Sequence, residues 1–146
     1  MKRLIILLFV MLMAVPMLSA CGSENKLQDG YYTAQAAGFH HGWKEFITIF
    51  VKDGSIVSVE YNAENASGFI KSWDNAYMKN MLHGTGTYPN AYTRYYANQL
   101  LTGQGRDGID ALSGATSSYQ SFQLLAQAVL EQARLGDSGI VSVNTQ

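Results

Sequence analysis

The feature that constrains this chain most is a loop of small residues, 110–118, that leads directly into a long amphipathic segment. Apolar residues recur after the loop at the spacing of a helix that buries one face: Phe122, Leu125, Ala126, Val129 and Ala133. Arg134 near the end of this run and Gly136 just beyond it are typical of a helix C-terminus. The pattern therefore predicts a helix that follows the loop and ends before Gly136.

The start of this helix is a candidate site for an anion. Ser117 and Gln120 have the spacing of a capping box, which would place Thr116 at the mouth of the helix. Backbone N–H groups are unpaired there and the helix dipole is positive, so a phosphate could bind beside the Thr116 hydroxyl. Hydroxyl residues also cap many helices that bind no ligand. The residues alone favour that ordinary cap over an anion site.

The N-terminus has the pattern of an export signal. Lys2 and Arg3 precede an apolar run over residues 4–18, which is shorter than the ~20 apolar residues of a membrane-spanning helix. Small residues then lead to Cys21, and the run Leu-Ser-Ala-Cys resembles the cleavage and lipidation signal of bacterial lipoproteins. We expect residues 1–20 to be a lipoprotein signal peptide and Cys21 to become the lipidated N-terminus.

The composition of the remaining chain excludes several classes of protein. Removing the first 20 of the 146 residues leaves 126, the size of one domain. Cys21 is the only cysteine, which excludes an internal disulfide and a cysteine-based metal site. The signal contains two of the ten basic residues and no acidic one, so the rest has a net charge of −3 and no electrostatic footprint for nucleic acid. Membrane attachment would depend on acyl chains such as palmitate, and stable anchoring needs more than one.

The first half of the domain has the pattern of a β-sheet. A short strand is predicted over residues 31–36. Two further runs, 46–51 and 56–61, are rich in β-branched and aromatic residues and flank an Asp-Gly pair at residues 53–54. Because Asp-Gly between two such runs is typical of a hairpin turn, the sequence predicts an antiparallel hairpin.

The second half has the pattern of helices. Ser72 can cap one helix with Asp74 in its first turn, and Pro89 suits the first turn of another helix that ends at Gly103. Residues 103–108 match the spacing of a dinucleotide-binding glycine fingerprint. They follow a predicted helix, whereas that fingerprint follows a strand, so we interpret them as a turn.

The order of strands followed by helices, without a repeat, predicts an α+β fold: a single small domain with an antiparallel sheet packed by helices. We place this domain at residues 29–136. A polar tether, residues 21–28, would join it to the lipidated cysteine. The polar tail, residues 137–146, is compatible with either a last edge strand or disorder.

The histidines do not predict catalysis. His40, His41 and His83 show no recognisable catalytic spacing. Neighbours in an extended segment point to opposite sides, which makes His40 and His41 a poor metal site. We expect a solvated or hydrogen-bonded loop for this pair, and no pair of carboxylates has the pattern of a general acid and base.

Around Thr116 the sequence resembles a known modification motif. Asp110-x-x-Ser113-Gly114-Ala115-Thr116-Ser117 is similar to the flavinylation motif of the FMN-binding domain family. That family includes the FMN-carrying subunits of the sodium-translocating NADH:quinone reductase and of a related ferredoxin:NAD oxidoreductase, and many small bacterial lipoproteins. The similarity extends over nearly all of residues 29–135 through short pieces: His41-Gly42-Trp43, the Asp53-Gly54 hairpin, Gly68 with Lys71-Ser72, and Tyr77 with Met81.

The resemblance implies one FMN per chain, attached through its phosphate to Thr116 by a separate flavin transferase. Residues of the same loop would surround the attachment point: Asp110, Ser113, Gly114, Ala115 and Ser117. Three side chains from elsewhere would contact the flavin: Trp43, Lys71 and Tyr77. The resemblance thus implies an electron carrier on the outer face of the cell membrane, with unspecified donor and acceptor, more than an enzyme with its own substrate.

A second class of function remains open at this point. The same fold without flavin would be a non-catalytic surface or binding lipoprotein. Whether Thr116 is modified in the native host separates the two classes, because the modification depends on the transferase.

Overall fold

The computed structural model describes residues 26–145, so the predicted signal peptide and Cys21 lie outside the described residues. Within this part of the chain there are four strands and three helices. The strands are β1 (Gly30–Ala36), β2 (Lys44–Lys52), β3 (Ser55–Glu64) and β4 (Ile140–Val143). The helices are α1 (Asn75–Thr85), α2 (Pro89–Gly103) and α3 (Thr116–Leu135), and a short 3-10 turn, Lys71–Trp73, precedes α1.

The sheet has the order β3-β2-β1-β4. Strand β2 pairs antiparallel with both β1 and β3, whereas β4 pairs parallel with β1. The α+β prediction is therefore confirmed, with a mixed sheet in place of a purely antiparallel one. The tail forms this edge strand, because α3 returns the chain to the end of the sheet where β1 begins.

Helices α2 and α3 cover one face of the sheet and bury the core between the two layers. In β2 the alternate residues Ile47, Ile49 and Val51 are fully buried. They share the core with the apolar stripe of α3, including Phe122, Leu125 and Val129. The helix predicted from that stripe is confirmed, since α3 ends at Leu135 with Gly136 in a left-handed C-cap.

The hairpin between β2 and β3 forms at the predicted turn, and a bulge changes the register beyond it. Val51 pairs with Ile56 but Phe50 pairs with Ser58, so Val57 is an extra residue. Strict alternation would place Ile56 on the face opposite Tyr61. Because of the bulge, both side chains are buried on the same face.

Two predicted details of the segment around α1 differ from the structure. Asp74 is the N-cap of α1 and accepts a hydrogen bond from Tyr77 N at 2.9 Å, which is the role predicted for Ser72. Ser72 is buried instead, and its hydroxyl accepts a hydrogen bond from Asn62 Nδ2 at 2.9 Å. Helix α1 contains no fully buried residue, so it lies at the periphery of the domain.

The chain joins the domain before residue 29. Leu27, in the predicted tether, is buried in the core. The turn predicted for residues 103–108 follows α2 directly, with Gln104 and Gly105 in the left-handed region. None of the helices among residues 26–145 combines the length and hydrophobicity needed to cross a membrane.

Candidate functional site

The loop that leads into α3 is held in place by side chains of the two core helices. Gln99 of α2 makes two hydrogen bonds to the backbone of Asp110: its Oε1 accepts from Asp110 N at 2.7 Å and its Nε2 donates to Asp110 O at 3.3 Å. Tyr119 of α3 donates its hydroxyl to Ile109 O at 2.9 Å. These bonds satisfy backbone groups that secondary structure leaves unpaired.

A buried tyrosine holds the end of the same loop. The Tyr96 hydroxyl accepts a hydrogen bond from Leu112 N at 3.2 Å and donates to Ala115 O at 3.3 Å. Tyr96 is fully buried, so its ring is held by packing on every side. The backbone that presents the first turn of α3 is therefore positioned by the core itself.

Gly114 allows the loop to pass close to the end of α1. Its φ of +81° lies in the left-handed region that side chains other than glycine rarely adopt. A Cβ at this position would also collide with the backbone carbonyl oxygen of Thr85. Both the conformation and the close approach require glycine between Ser113 and Ala115.

Thr116 is the first residue of α3 and its side chain is exposed. The N-cap is Ala115, which is buried, and no side chain accepts a capping hydrogen bond there. The capping box predicted for Ser117 and Gln120 is therefore wrong, since the helix begins one residue before Ser117. The first N–H groups of α3 thus have no side-chain cap, which leaves them available to an anion.

The other loop residues named by the sequence differ in exposure. Asp110, Ser113 and Ser117 are exposed like Thr116, whereas Ala115 is buried. The exposed hydroxyl groups of Ser113, Thr116 and Ser117 and the Asp110 carboxylate therefore belong to the loop and the first turn at the start of α3.

Three side chains that are distant in sequence meet at one point: Trp43 before β2, Lys71 in the 3-10 turn and Tyr77 in α1. The Trp43 and Tyr77 rings make an edge-to-face contact with centroids 5.9 Å apart. Lys71 Nζ lies 4.9 Å from the Tyr77 centroid and 5.8 Å from the Trp43 centroid. The structure thus brings together the three residues predicted to contact flavin, and their role toward flavin stays a prediction.

Buried tyrosines lie between this cluster and the first turn of α3. Lys71 and the Ser118 side chain both act on Tyr92 and lower its pKa, against the larger effect of burial. The Tyr61 hydroxyl lies 3.0 Å from Ser118 O and 2.8 Å from Glu45 Oε1, so its single hydrogen has two acceptors. The sequence did not point to this network, because these tyrosines occupy positions that its periodicity assigns to core packing.

The electrostatics of the network favour a permanent positive charge. Burial, the largest influence on Lys71, lowers its pKa, but Tyr92, Tyr77 and Glu45 outweigh burial and the pKa is raised overall. Burial raises the pKa of Tyr61 well above its ordinary value and also raises that of Tyr92. At neutral pH a cationic Lys71 therefore lies among neutral tyrosine hydroxyls, close to the positive end of the α3 dipole.

A cavity of about 250 Å³ lies beside this network. Its lining includes Trp43 and Glu45 from around the start of β2, and Ser117 and Gln120 from α3. A larger cavity of about 680 Å³ lies at the other end of the domain and contains none of the predicted site residues. We place the candidate site at the smaller cavity because two of the predicted site residues, Trp43 and Ser117, line it.

The histidines lie near the site without forming a metal centre. His40 and His41 are exposed, as expected for a loop. Their rings are 4.1 Å apart and do not point to opposite sides, because His41 has a φ of +50° and the segment is not extended. Among the described residues, no group of three His, Cys, Asp or Glu side chains is arranged to hold a metal ion.

Comparison with known proteins gives relatives in sequence and in structure. No family model matches the chain. The crystal structure of a Clostridium perfringens protein has a TM-score of 0.76 and 35% identity, covering 81% of this chain and 98% of that one. The solution structure of a Clostridium thermocellum protein has a TM-score of 0.51 and 29% identity, covering 73% and 92%.

The relationship in sequence is close enough to assign a family. A protein of Treponema pallidum (strain Nichols) called 15 kDa lipoprotein is 35% identical over 130 residues. The match covers 88% of this chain and 91% of that protein, so it extends far beyond the signal into the folded domain. The chain therefore belongs to the family of small bacterial lipoproteins that includes the 15 kDa lipoprotein of Treponema pallidum.

Proposed function

We propose that this protein is an electron carrier that holds one FMN covalently on Thr116 and is anchored by lipid to the outer face of the cell membrane. The observation that carries the proposal is the exposed Thr116 hydroxyl at the uncapped start of α3. The position combines an accessible attachment atom with N–H groups that favour phosphate.

The charge of Lys71 is compatible with FMN. Lys71 is cationic, and its ammonium nitrogen lies 5.8 Å from the centroid of the Trp43 ring, which lines the same cavity as Ser117. A positive side chain and a helix N-terminus both favour an anionic phosphate or an anionic flavin ring. The Trp43 and Tyr77 rings provide aromatic surface at the same point.

The size of the site supports covalent attachment over simple binding. Pockets that enclose a small ligand usually measure ~300–1,000 Å³, whereas the cavity beside Ser117 measures about 250 Å³. A flavin would be only partly enclosed there. A covalent link would keep such an exposed cofactor from diffusing away outside the cell.

Thr116 would be the substrate of a flavin transferase and not a catalytic nucleophile activated by this chain. In the transfer, the Thr116 oxygen would lose its proton and gain the bond to the FMN phosphorus of a donor FAD, while the pyrophosphate bond of FAD breaks and AMP leaves. The protein then gains the mass of one FMN less one water. Bound flavin would supply the redox chemistry, and the protein would supply attachment, orientation and electrostatics.

The fixed backbone of the loop at residues 110–118 explains how the other residues of the motif would help to present Thr116. Gly114 lets the chain pass close to Thr85, and buried Ala115 fixes the residue before Thr116. Asp110 is held through its backbone by Gln99. Exposed Ser113 and Ser117 would flank the phosphate. A transferase would thus meet a preformed, accessible loop.

The experiment that tests this proposal is co-expression with a flavin transferase. We expect wild-type protein to gain the mass of one FMN less water and a yellow colour that survives denaturation. Thr116→Ala should lose both, whereas Thr102→Ala, at an exposed threonine of α2 outside this loop, should keep them. A colourless wild type, or a covalent flavin that persists in Thr116→Ala, would overturn the proposal and leave a surface or binding lipoprotein without flavin.

The membrane anchor needs its own test. We propose that Cys21 is lipidated after cleavage, as its signal predicts and as the lipoprotein family supports. Cys21→Ala should release or mislocalise the protein. A variant that remains in the membrane fraction with normal cleavage would contradict the anchor.

A further inference from the structure

The domain has two opposite ends, which we define by their residues. The tether pole contains residues 26–29, the turn at residues 53–54, and Arg134, all of which line one cavity. The Thr116 pole contains Thr116 and the cluster of Trp43, Lys71 and Tyr77 described above. The position of the two poles relative to the membrane follows from how the chain enters the domain.

The chain enters at the tether pole and is fixed there. Gln28 N donates to Ala133 O at 2.8 Å, and Gln28 Nε2 donates to Arg134 O at 3.0 Å. Leu27 is buried in the core beside them. Asp29 Oδ1 accepts a hydrogen bond from Gly54 N at 3.0 Å, which joins the hairpin turn to the same end. Any anchor that precedes residue 26 must therefore pull on this pole.

The lengths of two elements, α3 and β2, give the distance between the poles. From Thr116 to Ala133 the helix α3 advances 17 residues at 1.5 Å each, which is about 26 Å. Strand β2 follows Trp43 and reaches the turn at residues 53–54 after nine residues, and at ~3.3 Å per residue it spans about 30 Å. Both elements place the Thr116 pole at least ~26 Å from the point of entry.

The tether is shorter than the domain. From Cys21 to Lys26 there are five residue steps, which reach at most about 18 Å when fully extended. To turn the Thr116 pole onto the membrane, Lys26 would have to stand ~26 Å above the surface. A lipid on Cys21 does not allow that orientation.

We infer that the tether pole faces the bilayer and that the Thr116 pole points into the aqueous phase. The inference rests on the lipidation of Cys21, which is part of the proposed function. The tether pole has mixed charges, with Lys26 and Arg134 next to Asp29 and Asp53, so the lipid and not a basic patch holds it there. Whatever exchanges electrons or binds at the Thr116 pole must approach from the aqueous side.

The two tryptophans of the chain make this orientation measurable. Trp43 and Trp73 both lie at the Thr116 pole, and Trp73 is 65% exposed. We propose to place the lipidated protein in phosphatidylcholine vesicles with and without a nitroxide on the lipid headgroup, which quenches tryptophan near the membrane surface. Wild-type emission should be the same in both kinds of vesicle.

The matched control moves the reporter to the other pole. Trp43→Phe and Trp73→Phe combined with Lys52→Trp place the single tryptophan on exposed Lys52, at the end of β2 next to the hairpin turn. This variant should lose emission in the nitroxide vesicles relative to the vesicles without nitroxide. Ser55→Trp in the same background replaces it if the first variant fails to fold by circular dichroism.

The outcomes separate the orientation from the proposed function. Quenching of the wild type as strong as that of the Lys52→Trp variant would overturn the orientation. The intact mass of the same sample shows separately whether the lipid and the flavin are attached. If either is absent, only the proposed function is contradicted. In that case Cys21 is joined to a maleimide lipid and the same vesicles still decide the orientation.

Discussion

Substitution of Gly114 by alanine gives the sharpest test of how the Thr116 loop is built. Two separate features require glycine there: a φ of +81° and the close approach to the backbone of Thr85. The neighbouring backbone cannot rotate away as a flexible side chain could. The Ser-Gly-Ala-Thr run should therefore tolerate no side chain at its second position.

The expected cost follows from these two features. Left-handed backbone costs alanine roughly 1–2 kcal/mol, and overpacking costs about 1–3 kcal/mol. Alanine gains back roughly 0.4–1 kcal/mol by restricting the unfolded chain. We expect Gly114→Ala to lower the free energy of unfolding by about 2–4 kcal/mol, a large part of the ~5–15 kcal/mol typical of a domain.

Two other glycines separate the two contributions. Gly68 has the same φ of +81°, and no atom lies within 4 Å of the place that a Cβ would occupy, so Gly68→Ala should cost only the backbone strain. Gly108 has neither a positive φ nor a neighbour within 4 Å, so Gly108→Ala should stay within about 0.5 kcal/mol of the wild type.

Urea unfolding followed by tryptophan fluorescence measures the series. With a slope of ~2 kcal/mol per molar urea, the middle of the usual range, Gly114→Ala should lower the midpoint by about 1–2 M at unchanged slope. If Gly114→Ala costs no more than Gly68→Ala, the close approach to Thr85 contributes nothing to stability. That result would refute our account of why glycine precedes Ala115.

Two further predictions concern the cap of α1 and the buried tyrosines. Asp74→Ala removes the acceptor for Tyr77 N and should cost about 1 kcal/mol, whereas Asp74→Ser should retain most of it; hydrogen exchange within α1 checks this, and equal protection in both variants would contradict the cap. Tyr61→Phe removes the hydroxyl shared by Glu45 and Ser118 and should cost about 1–2 kcal/mol at pH 7 in a thermal or urea melt. Because burial raises the pKa of Tyr61 well above 10.0, its contribution is complete below pH 10 and is lost as pH rises further, since the unfolded tyrosine ionises first. The difference in the free energy of unfolding between wild type and Tyr61→Phe should therefore shrink above pH 10, where tyrosinate absorbance reports the ionisation. A difference that stays constant would contradict the raised pKa of Tyr61.

Local interactions explain which elements the sequence predicted correctly. In the hairpin turn, Asp53 and Gly54 have φ values of +54° and +73°, which few residue pairs adopt, so the pair itself determines the turn. Pro89 starts α2 because its missing N–H is unpaired at that position in any helix. The apolar stripe and Gly136 determine α3 in the same way, because both act on residues that are close in sequence.

Contacts between distant residues explain the predictions that were wrong. Ser72 does not cap α1 because Asn62, ten residues earlier, binds its side chain inside the domain. The bulge at Val57 depends on how β3 pairs with β2. The alternation of residues within β3 alone carries no information about that pairing. The parallel pairing of β4 similarly depends on where α3 returns the chain.

The candidate site shows the same division. The sequence by itself determined the loop before α3, its glycine and the position of Thr116 at a helix start, because these depend on neighbours along the chain. Long-range packing brings Trp43, Lys71 and Tyr77 together, and it places the Tyr61 hydroxyl against Ser118 O at the start of α3. Burial lowers the pKa of Lys71, neighbours from separate elements raise it by more, and burial raises the pKa of Tyr61 and Tyr92, so each of these effects belongs to the packed fold.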